Sequence, residues 1–340
     1  MAGEAILDLV VVGITEPVPG VRSFRLAAAD GRELPAFVPG SHLILDCDSP
    51  DGASPDGASP DSGSPDGGSP DGGRRTNAYS LTSAGFAPTV YEISVLRVED
   101  GNGGSRWLHT HLELGSRVTA RPPRSGFPPI ARASRHLLVA GGIGVTPIVS
   151  HLRAAAHRGQ DRRVLYVHRA GRGAHLDDVR GLTDGRAGIF TDRVAFAARL
   201  EETLVDQPLG THLYVCGPGP LIDRVVGSAR GLGWPGSRIH VERFGAGTTD
   251  PGAPFDVVLT RSGRTVRVPS GTSLLEALEA AGLAIPNRCR HGVCGECRTP
   301  VTAGPPLHRD LVLTAAEKAA ADCLMPCVSR ANGPRLEVPL

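Results

Sequence analysis

The stretch CRHGVCGEC, residues 289–297, sets three cysteines and two glycines into nine positions near the end of a 340-residue chain. Three kinds of centre use such a text: a zinc site, a disulfide framework or an iron–sulfur cluster. The rest of the chain chooses between them.

At 340 residues the chain is too long for one ordinary hydrophobic core, so two or three domains are expected. The formal charge is +1 and the pI about 7.7, so no sequence-wide field attracts nucleic acid or an anionic membrane, and neither is an expected partner. One lysine, Lys318, stands against thirty-five arginines, a bias that carries no functional weight. The N-terminal MAGEAILDLVVVGITE has acidic residues where a signal peptide needs basic ones, and its short β-branched run reads as a strand. No span approaches the roughly eighteen apolar residues of a membrane helix, so a cytoplasmic protein is expected. Seven cysteines, an odd number, in such a chain argue against a disulfide scaffold and for metal or redox use.

Residues 1–130 alternate short β-type runs (AILDLVVVGIT, SHLILDC, YEISVLRV) with Gly and Pro turns, which predicts an antiparallel β-barrel. Between Asp48 and Gly73 this pattern is interrupted by SPDGASPDGASPDSGSPDGGSPDGG. That repeat has no apolar residue larger than alanine to offset its ordering entropy, so residues 48–73 are expected to be a disordered insert. The known calcium-loop patterns are absent from it. Residues 131–245 change to strands alternating with helices (HLLVA, PIVSHLRAAAHR, RRVLYVHR, THLYVC, PLIDRVVGSAR), which predicts an α/β domain on a parallel sheet. GAGTTDPGAP, residues 245–254, reads as a linker. Over 253–340, FDVVLT and TVRVP flank an SGR turn as a hairpin, and Ser273-Leu-Leu-Glu276 is a capping box opening a helix that Gly282 stops. The cysteines follow on a loop.

The spacing from Cys289 through Cys294 to Cys297 is CxxxxCxxC, with twenty-nine residues before Cys327. That is the plant-type [2Fe–2S] pattern, in which four thiolates converge on two irons from a tight loop and a distant segment. Gly292 and Gly295 suit backbone conformations that turn amide hydrogens toward the sulfurs. A zinc ribbon built from Cys294/Cys297 and Cys323/Cys327 would leave Cys289 unused. A Rieske centre starts CxH, which Cys289-Arg-His291 fits, but its second half ends CxxH and here that position is Cys297. His291 therefore reads as a loop side chain. Cys323, the rival fourth ligand, reads as a small buried residue.

LLVAGGIGVTPIVSHL, residues 137–152, runs strand, glycine turn, helix. Gly141, Gly142 and Gly144 would let the backbone approach a pyrophosphate, Thr146 would cap, and Pro147 would take the first helical position. THLYVCGPGPLIDRV places Cys216, Gly217 and Pro218 after another strand end, the ligand side of such a sheet. With CRHGVCGEC and CLMPCVSRA, residues 255–340 resemble a plant-type ferredoxin domain, and the whole chain resembles the phthalate dioxygenase reductase family, apart from the SPDGA insert. The resemblance implies an antiparallel β-barrel flavin domain, an α/β nicotinamide domain and an α+β, β-grasp ferredoxin domain. GGIGVTP matches that family's GGxGxTP turn, and its CGP segment lies beside the nicotinamide, which makes Cys216 a candidate catalytic residue. The family's Arg-x-Tyr-Ser-Leu flavin strand appears as RRTNAYSLTS: Tyr79, Ser80 and Leu81 match, and Asn77 stands where arginine binds the flavin phosphate. Arg74, Arg75 and Arg124 are candidate substitutes for that charge. GNGGSRWLH resembles the second phosphate loop, through Gly103, Gly104 and Ser105. Glu242-Arg243-Phe244 resembles the family's ending of the nicotinamide domain, where the aromatic packs over the flavin.

NAD(P)H delivers two electrons as a hydride and a [2Fe–2S] cluster accepts one at a time, so a flavin is needed between them. The resemblance implies FMN, with FAD as the alternative. The implied function is a monomeric NAD(P)H-dependent reductase that passes electrons to a separate oxygenase component, Rieske-type or other, since this chain has no oxygen-activating domain of its own. Arg169 and Arg172 are candidates for a 2′-phosphate contact that would distinguish NADPH from NADH. Two alternatives stay open from the residues alone. One is a flavin reductase with a structural cluster, the other a zinc-stabilised nucleotide-binding module.

Overall fold

In a computed structural model the described residues are 6–47, 76–99, 103–244, 252–270, 272–287, 292, 295–310 and 312–340. The SPDGA repeat, Arg74, Arg75, Cys289, His291 and Cys294 lie outside them. The described residues fall into two compact units, one ending at Phe244 and one starting at Gly252.

The first unit opens with β1 (Leu7–Val18), β2 (Val21–Ala28), β3 (Ser41–Asp46), β4 (Thr76–Ser80), β5 (Val90–Leu96), helix α1 (Gly104–His111) and β6 (Arg117–Ser125). Side chains alternate in and out as a half-buried strand requires, so Leu9, Val11, Phe24 and Leu26 point into one core. The six strands order as β4-β3-β6-β1-β2-β5, all antiparallel neighbours. A bridge between Leu81 and Ile93, with Thr82 N–H donating to Glu92 O at 2.8 Å, joins the two edges and closes the sheet. Trp107 and Leu108 of α1 complete this core.

The chain continues through β7 (Arg135–Gly141), α2 (Val145–His157), β8 (Arg162–Val167), α3 (Leu176–Leu182), β9 (Gly188–Phe190), α4 (Arg193–Val205), β10 (Thr211–Gly217), α5 (Gly219–Gly231) and β11 (Ile239–Arg243). These strands form a parallel sheet of order β11-β10-β7-β8-β9. Both faces are covered, α2 and α3 on one and α4 and α5 on the other, which is why the strands read as nearly continuous apolar runs. Chain order reverses between β7 and β10, and their carboxyl ends face the crevice where such sheets bind ligands. Val21 and Phe127, from the barrel side, sit in the same cluster as Ile148 and Leu152 of α2. Shared burial explains why the regions read as separate flavin and nicotinamide domains pack as one unit.

The second unit holds β12 (Phe255–Leu259), β13 (Thr265–Val268), α6 (Leu274–Ala280), β14 (Thr299–Pro300), β15 (Pro306–Leu307), α7 (Ala315–Ala320), β16 (Cys323–Leu324), β17 (Arg330–Ala331) and β18 (Arg335–Val338). β12 pairs antiparallel with β13 and parallel with β18, and two short pairs, β14–β16 and β15–β17, flank them. The Ser273/Glu276 capping box forms as expected, and a second one, Thr314/Glu317, opens α7. The guanidinium of Arg330 is buried: it stacks over Phe255 and donates to the carbonyls of Thr272, Ala253 and Pro269. Among the described residues no helix is long and apolar enough to cross a membrane.

Candidate functional site

The carboxyl edge of the parallel sheet brings three separate segments together. β7 ends at Gly141, β10 at Gly217, and β11 at Arg243. A Cβ on Gly144 would lie 2.4 Å from Cys216 O, and one on Gly141 would lie 2.3 Å from Leu221 Cδ2. These two glycines are needed so that the turn after β7 can interlock with the turn after β10, a packing reason for glycine beside the expected approach to a pyrophosphate. Gly142 differs: its φ is +53°, and a Cβ there would meet open space, so it leaves the ligand side clear. The capping expectation for Thr146 also needs correction. Helix α2 begins at Val145 after a 3₁₀ turn over Gly142–Gly144, and the Thr146 hydroxyl donates back to Ile143 O at 3.0 Å. Pro147 is the third helical residue rather than the first, still within the turn whose N–H groups have no intrahelical partner.

Cys216 is fully buried and pairs in register with Glu242 on β11. Burial first, and the neighbouring Glu242 second, push the thiol well above its usual range. Burial likewise raises the Glu242 carboxyl to about 8, and its Oε2 has no hydrogen-bond partner. At neutral pH the pair is therefore a thiol and a carboxylic acid, both uncharged. Glu242 was not singled out in the sequence, where nothing shows that it neighbours Cys216. Phe244 follows one residue beyond β11 and is 37% exposed, so its ring is available at this edge. Of the 2′-phosphate candidates, Arg172 donates to Pro19 O at 2.7 Å on the barrel, while Arg169 is exposed.

On the barrel, β4 carries the expected flavin strand. Asn77 lies against α1: a Cβ on Gly104 would come within 2.0 Å of Asn77 Nδ2, which also donates to Tyr79 Oη at 3.1 Å. The strand position and the Gly103–Gly104 loop are thus adjacent, with Gly103 in the left-handed region at φ 86°. The Ser105 hydroxyl accepts from Val98 N at 3.1 Å and donates to Val98 O at 3.4 Å. At Leu81 the side chain is in the core and the N–H donates to Ser41 O at 2.9 Å. Burial raises the Tyr79 hydroxyl far above its usual range, keeping it protonated. Ser80 Oγ and Ser83 Oγ are buried without a partner. Of these, Ser80 directly follows the half-buried Tyr79, and a buried hydroxyl without a partner there fits an incoming group that carries hydrogen-bonding atoms. Ser83 was missed, having no motif of its own.

In the second unit Cys297 and Cys327 are both buried, their sulfurs 3.3 Å apart. Gly295, two residues before Cys297, has φ +77°, and Thr299 Oγ1 donates to Cys297 O at 3.0 Å. Gly292 also has positive φ, and a Cβ there would lie 2.5 Å from Val328 Cγ2 and 3.1 Å from Asp310 Cα, so only glycine fits beside the Cys327 segment. Cys323 is buried apart, its thiol interacting with Asp322 and Arg298. Two convergent sulfurs in a buried pocket fit a thiolate-held iron centre; the other two expected ligands, Cys289 and Cys294, lie outside the described residues.

Residues 116–239 match the family model of the dimethylamine monooxygenase subunit DmmA-like, N-terminal domain, and residues 257–332 match the 2Fe-2S iron-sulfur cluster binding domain, which sets the zinc reading aside. The chain is 39% identical to the heme-dependent oxidative N-demethylase beta subunit of Ectopseudomonas mendocina, over 97% of each chain. It is 31% identical to the carnitine monooxygenase reductase subunit of Acinetobacter baumannii, also over 97% of each. Among solved structures it superposes on phthalate dioxygenase reductase, a modular structure for electron transfer from pyridine nucleotides to [2Fe–2S], with a TM-score of 0.73 and 30% identity, covering 99% of this chain and 98% of that one. Since these likenesses run nearly end to end, the chain belongs to the phthalate dioxygenase reductase-like family of oxygenase reductase subunits.

Proposed function

We propose that this chain takes a hydride from NAD(P)H at the β7/β10 edge and passes the electrons, through FMN on the barrel and a [2Fe–2S] cluster, to a separate oxygenase component. The observation that carries this reading is that two chemistries share one chain. Interlocked turns at Gly144 and Cys216 form a nucleotide-type crevice in one unit, and the paired sulfurs of Cys297 and Cys327 lie in the other.

Bound flavin supplies the conversion of one hydride into two single-electron transfers. The chain's own residues do the holding. Ser80 and Ser83 offer hydroxyls to the ring edge, Tyr79 offers a protonated, half-buried face, and Asn77 with Gly103 and Gly104 lines the position for a phosphate. Asn77 donates one neutral hydrogen bond where arginine would give a charged, bidentate contact, so Arg124 or the arginines at 74 and 75 supply the charge. Gly141, Gly142, Gly144, Cys216, Gly217, Pro218 and Phe244 line the nicotinamide side. There burial holds the Glu242 carboxyl protonated at neutral pH, so it adds no buried anion beside the nucleotide. Cys289, Cys294, Cys297 and Cys327 hold the cluster.

With Arg172 tied to Pro19, Arg169 is the residue to test for a 2′-phosphate contact. The acceptor is an oxygenase component of Rieske or haem type, met through a transient polar surface. We place the chain in the cytoplasm as a monomer built of three domains, 1–130, 131–245 and 253–340. An odd number of cysteines, seven, suits a reducing compartment, and gel filtration should report about 35.4 kDa.

Cys327→Ser tests the electron path. Cytochrome c reduction should fall more than about tenfold while nicotinamide-dependent ferricyanide reduction persists. Equal loss of both activities would favour a flavin reductase whose cluster is structural.

A further inference from the structure

The first unit contains a closed ring of polar contacts that neither the nucleotide crevice nor the barrel core requires. Arg153 lies on α2, eight residues beyond Val145, where the helix leaves the glycine turn. Its Nη1 donates to Thr82 O at 3.0 Å and to Glu92 Oε2 at 2.7 Å, and its Nη2 donates to Asp178 Oδ1 at 2.9 Å. Thr82 follows directly on the Tyr79-Ser80-Leu81 strand, and Glu92 lies on β5. The same two residues make the seam that closes the barrel, since Thr82 N–H donates to Glu92 O. One guanidinium therefore grips both sides of that seam.

The ring continues through Asp178, whose Oδ2 pairs with His175 Nδ1 at 2.8 Å. His175 Nε2 meets Ser94 Oγ at 2.8 Å, and Ser94 Oγ meets Ser23 Oγ at 2.7 Å. Glu92 and Ser94 are two residues apart on β5 and so share a face. The helices of the nicotinamide side thus hold the barrel at two adjacent points of one strand. His175 reaches this geometry with φ at 56°, a left-handed conformation that a non-glycine residue adopts only when its surroundings impose it. A further tie runs beside the ring, from Ser150 Oγ on α2 to Ser83 O at 2.8 Å.

The Arg153, Glu92 and Asp178 side chains are each between about a quarter and a third exposed. A charge network of that exposure contributes some stability, and it also fixes the geometry of what it joins. The segments it joins are informative. At one end is the helix carrying the nucleotide turn, and at the other is the exit of the strand whose serine hydroxyls await the flavin edge. Hydride transfer is steeply sensitive to the distance between these two.

We propose that Arg153 is a positioning residue, which fixes the nucleotide turn against the flavin strand by clamping the barrel seam through Thr82 and Glu92 and anchoring it to α3 through Asp178. The inference rests on the electron-transfer reading above. Arginine suits the role because its planar fork serves three acceptors in fixed directions, which a lysine ammonium does not reproduce.

The test uses the holoprotein and the Arg153→Met and Arg153→Lys variants. Three quantities are measured: flavin content, the single-turnover rate of flavin reduction across NADH concentrations, and the long-wavelength charge-transfer absorbance of the reduced protein with NAD⁺. Arg153→Met should keep its flavin and bind NADH within about threefold of wild type, yet reduce flavin roughly thirtyfold more slowly and lose most of the charge-transfer band. Arg153→Lys should fall between the two. A methionine variant with wild-type rate and band overturns the proposal. If Arg153→Met does not fold, Glu92→Gln decides: a loss of roughly fivefold in rate with a weakened band supports the clamp, and wild-type behaviour overturns it. Failure of the underlying reading has a different signature, because the wild-type protein itself would then not be reduced by NADH or NADPH.

Discussion

Each unit of this protein places one arginine at a structural crossroads, and the two arginines are used in opposite ways. In the second unit Arg330 is 3% exposed, lies over Phe255, and donates to carbonyls of three loop residues. In the first, Arg153 is about a quarter exposed and is bound by two carboxylates from different elements. A buried guanidinium satisfied by carbonyls cannot be removed without leaving those carbonyls unpaired, so it acts as a structural staple. One about a quarter exposed between carboxylates costs less stability when removed, because water reaches the groups it leaves behind. What it contributes is geometry. Burial and the chemistry of the acceptors, rather than residue type, separate a residue that holds a fold from one that aligns two sites.

That contrast is open to direct attack, beginning with the largest effect. Arg330→Met should destabilise the second unit by about 3 kcal/mol or more, abolishing the cluster's EPR signal while flavin content is retained. Survival of the cluster at full occupancy would erase the distinction. Glu242→Gln probes a third kind of buried group, one held neutral. Burial raises its folded pKa to about 8 from an ordinary 4.5, so the folded chain holds that proton more tightly and the wild type loses stability as pH rises from about 4.5 to about 8. The glutamine variant should lack that slope and be on the order of 4 kcal/mol more stable than wild type near pH 8.5, with the two close near pH 5, as thermal melts across that range will show. Arg153→Met should shift the stability of the first unit by less than about 1 kcal/mol, read from denaturant unfolding. Smallest of all, deleting residues 51–71 from the SPDGA repeat should leave flavin content and turnover nearly unchanged, and a large drop in bound flavin would give the insert a role.

The features legible in the sequence were those with local causes. Cysteine spacing marked the cluster loop, alternation of apolar residues marked the barrel strands, and Ser273 with Glu276 marked the start of α6 within four residues. Features set by partners distant in sequence were not legible. The reason for Gly141 and Gly144 lies at Leu221 and Cys216, more than seventy residues on, so the expectation tied them to a ligand. Glu242 becomes notable only through the β10–β11 register that sets it against Cys216. Arg153 reads as an ordinary exposed arginine until folding brings Glu92 and Thr82, sixty-one and seventy-one residues away, within reach. Leu81 shows the converse: its motif position matches the family pattern, and only the packing reveals that its side chain belongs to the core.

The central claim, that paired electrons enter at the sheet edge and leave singly from the cluster, is tested most directly by anaerobic titration of the holoprotein with NADH and then NADPH, followed by visible and EPR spectroscopy. The account predicts bleaching of a flavin spectrum and the growth of a reduced [2Fe–2S] signal requiring Cys297 and Cys327. Flavin bleaching with no iron signal, in protein shown to contain iron and acid-labile sulfide, would contradict it.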